Sequence, residues 1–147
     1  MKIEIIEQPI QFHLHGIGSV VQGEHCSQVG LRLMNEMWQV VKSAKIQTTG
    51  INHWVYLPDS MMFVGVELKN GEAANLPHQL SPLKLELPRY LKHVHSGPYQ
   101  ELPEKWKGLK NELLARGQTQ CSPSVEIYDH HCEDASKLET TILIGLR

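Results

Sequence analysis

Cysteine is scarce in this chain: Cys26, Cys121 and Cys132 are the only three, and no two of them form a C-x-x-C pair. An odd and unclustered set excludes a disulfide framework or a zinc knuckle and suits a reducing compartment, so each reads as a buried or merely tolerated thiol. Long apolar runs are also missing. The longest falls far short of the ~20 residues that cross a bilayer, and the N-terminal "MKIEIIEQPIQ" alternates instead of building the core of a signal peptide. These absences point to a cytoplasmic protein with no membrane partner. Charge of one sign is lacking too: 14 Lys and Arg stand against 16 Asp and Glu, a net charge of -2 with no block of like charges. No basic surface for nucleic acid or anionic lipid is evident, and direct nucleic-acid contact is not expected. A nucleophile elbow is absent as well. Ser96 stands in "HSG", which is not G-x-S-x-G, and a turn role for Gly97 and Pro98 suffices.

What is present is enough for a core. In 147 residues, 41% are hydrophobic, which fits one globular domain spanning 1–147 or two small halves packed together. Residues 2 to 15 alternate as a strand does and are expected to end at "GIG" (16 to 18). From Gly30 the positions Met34, Met37, Val41 and Ala44 follow helical spacing, with Leu33, Trp38 and Val40 widening the stripe. Residues 51 to 57 and 61 to 69 then read as strands about the turn "PDS". The turn-rich stretch 70 to 82 should connect two halves, about 1–70 and 83–147, with the connector at about 71–82.

The same order returns after it. Residues 88 to 96 read as a strand. Leu102, Trp106, Leu109 and Leu113 mark a helix with Pro103 in its first turn and Gly117 at its stop. "SVEIYDHH" (124 to 131) and "LETTILIGL" (138 to 146) follow as strands. At an offset of 72, Met34, Met37 and Val41 match Trp106, Leu109 and Leu113, while Trp54 and Tyr56 match Glu126 and Tyr128. At an offset of 80, "FHLHG" matches "KHVHS". The expected fold is therefore α+β: two β-α-β-β halves related by duplication and a pseudo-twofold axis, with antiparallel sheets and a central groove.

Glu126 is the odd member of its strand. Val125 and Ile127 share one face, and Glu126, Tyr128 and His130 share the other. Glu126 then either faces water on a half-buried strand or lines a cleft. With two halves meeting at equivalent strands, the Trp54/Tyr56 face and the Glu126/Tyr128 face look into one groove. A carboxylate among three aromatic rings suits an apolar cation. Met34, Met37, Leu109 and Leu113 read as core, whereas Trp38 and Trp106 sit where an indole either stays in the core or reaches a groove wall.

Two further patterns carry less. "DHHC" (129 to 132) lacks the cysteine-rich domain and membrane spans of protein palmitoyltransferases and reads as chance. His13/His15 and His93/His95 each lie on one strand face, which suits zinc or nickel if the strands adjoin. No cysteine or carboxylate is placed to complete such a site, so neither metal nor cofactor is expected.

The run "YLKHVHSGPYQELPEKWKGLKNELLARG", followed by "PSVEIYDHH" and "LETTILIGL", resembles the GyrI-like small-molecule-binding domain, found also as the effector-binding domain of AraC-type and multidrug-responsive bacterial transcription activators. An H-x-G-x-Y element stands as His95, Gly97 and Tyr99, and an E-x-Y element as Glu126 and Tyr128. "WVYLP" carries the weaker likeness of the first half. The resemblance implies the duplicated fold with a central groove, and a carboxylate at Glu126 that meets cationic ligands. It implies a stand-alone binding or sensing module, with Glu126, Tyr128, Trp54 and Tyr56 as ligand-binding residues and no helix-turn-helix in the sequence given. Alternatives it leaves open are a hydrolase with Glu126 as general base, and an interaction module acting on DNA gyrase or a transcription regulator. Binding comes before turnover among these, and turnover, if any, would be hydrolytic.

Overall fold

The computed structural model describes residues 2–69, 76–129 and 133–147. The strands are β1 (Glu4–Ile6), β2 (Ile10–Val20), β3 (Asn52–Tyr56), β4 (Met61–Val66), β5 (Ser81–Leu87), β6 (Tyr90–Ser96), β7 (Gln120–Tyr128) and β8 (Glu139–Leu146). The helices are α1 (Cys26–Ser43), between β2 and β3, and α2 (Leu102–Ala115), between β6 and β7. All eight strands join one antiparallel sheet in the order β1-β6-β8-β7-β3-β4-β2-β5. The α+β class is as the sequence predicts, and the β-α-β-β order recurs as β2-α1-β3-β4 and β6-α2-β7-β8; each run is preceded by a further strand, because the one strand expected over 2 to 15 is split into β1 and β2, and β5 stands before β6.

The order in the sheet reads alike from either edge. On one side of the β3–β7 seam it runs β3-β4-β2-β5, and on the other β7-β8-β6-β1. The leading strand of each half has crossed over: β1 pairs with β6, and β5 pairs with β2. Shared order is a property of the topology and says nothing of ancestry.

Two further expectations need correction. The "GIG" segment does not end a strand, because β2 continues to Val20, pairing with β5 over Ile10–Gly16 and with β4 over His15–Val20. Gly16 lies opposite Gly65, and a Cβ there would stand 1.9 Å from the Val64 carbonyl oxygen. Glycine thus serves close backbone approach instead of a turn. The connector 71–82 is shorter than predicted, since β5 begins at Ser81. Residues 70–75, and with them part of that connector, lie outside the described residues, as do His130 and Cys132.

Alternation decides what each face buries. Under α1, Val29, Leu33, Met37 and Val41 pack on Trp54, Met62, Val64 and Val66. Beneath α2, Leu102, Leu109 and Leu113 pack on Leu91, Ile142, Ile144 and Leu146. On the opposite face Phe12, Leu14, Val55, Phe63, Leu87, Tyr90, Val125 and Leu143 form a third cluster, and the sheet curls enough for β5 to touch β7 there. Each such side chain contributes about 1.5–3 kcal/mol when fully buried. At the end of α2, Gly117 adopts φ 69°, the Gln118 N–H donates to Leu113 O at 2.9 Å, and the Gly117 N–H donates to Leu114 O at 3.0 Å. That is a Schellman stop. No described helix is long and apolar enough to cross a membrane.

Candidate ligand cavity

The helices cover the two wings of the sheet and leave its middle uncovered. β3 and β7 pair there with Trp54 directly opposite Glu126. Above that seam lies a cavity of about 1040 Å³. Its floor carries Asn52, Trp54 and Tyr56 from β3 and Ser124, Glu126 and Tyr128 from β7; its walls carry Leu31 and Met34 from α1 and Leu102, Trp106 and Lys110 from α2. The residues predicted to share a groove, Glu126, Tyr128, Trp54 and Tyr56, are brought together. Val125 points away into the core and is fully buried.

Glu126 does not sit in water: its relative exposure is 3%. An ionised carboxylate so deep costs several kcal/mol unless hydrogen bonds satisfy it. Both oxygens are supplied. Tyr56 Oη and Tyr128 Oη donate to Oε1, the latter at 3.1 Å, and Trp106 Nε1 donates to Oε2 at 2.8 Å. Burial, followed by the negative charge of Glu126, pushes both tyrosine hydroxyls far above the ordinary tyrosine range. They therefore stay protonated and keep donating.

The donors' rings face one another around the carboxylate. Tyr56 meets Trp106 edge-on with centroids 5.7 Å apart, Trp54 lies 5.1 Å from Tyr128, and Tyr99 meets Tyr128 edge-on at 5.3 Å. Gly30 of α1 lets this happen, since a Cβ there would come within 2.2 Å of the Trp54 ring. The Trp54 N–H is buried without an acceptor among the described residues.

Tyr99 reaches the cavity through the H-x-G-x-Y element. His95, 7% exposed, has Nε2 3.2 Å from Glu101 Oε1, within ion-pair distance though outside hydrogen-bond geometry. Gly97 between them has φ 139°, and a Cβ there would stand 2.4 Å from the same carboxylate oxygen. The strand thus turns sharply into the 3-10 turn Tyr99–Glu101 that precedes α2.

Tyr99 and Lys110 belong to the cavity without having been assigned to it by sequence, and Trp106, for which the sequence leaves core and groove wall both open, stands on the wall. Trp38 does not line it; its Nε1 donates to Asn52 Oδ1 at 2.8 Å and so orients a floor residue. Met34, expected in the core, is half-buried against the cluster under α1 and forms part of the wall. The two H-x-H pairs do not adjoin, because four strands separate β2 from β6. Among the described residues no group of three His, Cys, Asp or Glu is placed to hold a metal ion.

No family model and no curated protein sequence matches the chain. Solved structures do. The C-terminal domain of EcmrR superposes with a TM-score of 0.74 at 16% identity, covering 100% of this chain and 99% of that one. In an EcmrR–DNA complex this chain spans 57% of the EcmrR chain. SAV2435 bound to tetraphenylphosphonium superposes with a TM-score of 0.67 at 14% identity, over 100% of this chain and 94% of that one. A hydrolase from Listeria innocua gives a TM-score of 0.57 at 11% identity, over 99% of this chain and 92% of that one. At these identities the likeness concerns the fold, and the fold is the one that the resemblance to GyrI-like domains implies.

Proposed function

We propose that the chain is a small-molecule-binding module whose cavity receives bulky apolar cations against the rings of Trp54, Tyr56, Trp106 and Tyr128. The observation that carries this reading is the buried carboxylate of Glu126, hydrogen-bonded at both oxygens, behind an aromatic wall. Because both of its oxygens already accept, the ligand meets ring faces first and Glu126 acts as the counter-charge behind them. Hydroxyl and indole groups that donate to an anion have electron-rich rings, which strengthens their attraction for a cation. A delocalised cation without donors of its own suits such a site better than a primary ammonium does. The tetraphenylphosphonium held by SAV2435 is of that class.

Titration calorimetry with tetraphenylphosphonium, on the wild type and Glu126→Gln, tests this. The substitution keeps the shape and removes the charge, and is expected to weaken binding by about 1–3 kcal/mol while leaving a neutral aromatic compound almost unaffected. Equal affinity of the cation for both proteins would sink the proposal.

A hydrolytic reading is supported by the likeness to the Listeria innocua hydrolase. Glu126 as general base would need an oxygen free to take a proton from water. With three donors on the carboxylate, the geometry favours binding over turnover. Hydrolysis of a neutral ester by the wild type, lost in Glu126→Gln, would reverse that preference.

A further inference from the structure

Lys110 stands one helical turn after Trp106 on α2, so its side chain folds back over the indole. Its Nζ lies 5.8 Å from the ring centroid, and Lys110 and Trp106 both line the cavity. Among the described residues its ammonium has no carboxylate partner. The Trp106 N–H meanwhile donates to Glu126 Oε2 at 2.8 Å. The ammonium therefore lies over the indole face while the carboxylate takes the N–H at the ring edge, so one indole stands between the two charges.

We propose that Lys110 is a tethered occupant of the cation site and thereby a determinant of its specificity; this rests on the receptor reading above. An incoming cation cannot share that ring face with an ammonium group at such a distance, because like charges repel and one must leave. The lysine is exposed, so its head swings into water, and the exchange costs the ligand part of its affinity. A neutral flat aromatic meets no such repulsion. The site is thus tuned against weakly binding monocations, and admits those whose apolar surface offsets the exchange.

The test compares N-methylacridinium with uncharged acridine, above neutral pH where acridine carries no charge, by fluorescence titration of the wild type, Lys110→Met, Lys110→Arg and Glu126→Gln. Lys110→Met keeps the stem and removes the charge. It is expected to bind N-methylacridinium about two- to fivefold more tightly than the wild type, with acridine unchanged and Lys110→Arg at the wild-type value. If Lys110→Met leaves N-methylacridinium unchanged or weaker while Glu126→Gln still weakens it, Lys110 is an ordinary surface lysine and the receptor reading survives alone. Failure of both the wild type and Lys110→Met to bind N-methylacridinium removes the receptor reading and the tethered occupant with it.

Discussion

At the scale of single residues, Glu126 and its donors form a unit in which each part fixes the others. Tyr56→Phe removes one donor from a buried carboxylate and leaves the ring in place. It is expected to lower stability by about 1–3 kcal/mol, measured by urea denaturation. The raised values of Tyr56 and Tyr128 set the alkaline behaviour. Their folded values lie above the unfolded ~10, so the stability they contribute is complete below that pH and is lost as pH rises beyond it. A spectroscopic titration is therefore expected to show these two hydroxyls ionising only as the chain unfolds; smooth ionisation of every tyrosine in the native protein would contradict it. Strand alternation paired Glu126 with Tyr128 and Trp54 with Tyr56, and the internal match at an offset of 72 brought the two pairs to one groove. Tyr99 and Lys110 escaped because their contacts lie between elements, where a one-dimensional pattern is silent.

At the scale of elements, most of the fold was legible because apolar spacing follows the sheet and the helices closely. β5 was hidden by its own protection. "SPLKLEL" does alternate through Leu83, Leu85 and Leu87, but Pro82, Lys84 and Glu86 give it the look of a loop. Those residues suit an edge strand, where proline and outward charge discourage pairing with another chain. The "GIG" misreading arose because glycine serves turns and close approach alike, and only the neighbour across the sheet distinguishes them. Gly30 offers a sharper test. In an exposed helix Gly→Ala gains up to ~1 kcal/mol of helix propensity. Here the new methyl group meets the Trp54 ring, and overpacking of about 1–3 kcal/mol should outweigh that gain. Gly30→Ala is expected to unfold at lower urea concentration and to push Trp54 toward the cavity, weakening ligand binding. A more stable variant would mean that α1 has slack above the seam.

At the scale of the whole molecule, the crossing of β1 and β5 means that neither half is complete by itself, because each borrows its outermost strand from the other. Fragments 1–75 and 76–147 are expected to be largely unfolded apart and to recover the native circular dichroism when mixed, whereas independent folding of either would show that the exchanged strands are dispensable. Distribution across the molecule also gives the three tryptophans unlike surroundings. Trp38 donates to a neutral amide beneath α1, Trp106 to a carboxylate beneath α2, and Trp54 at the seam has a buried N–H with no acceptor among the described residues. In a nitrogen–proton correlation spectrum these become three separated indole signals, each reporting one station of the structure. An occupant of the cavity is expected to move the signals of Trp54 and Trp106 directly and that of Trp38 only through Asn52, so the protein carries its own graded report of occupancy.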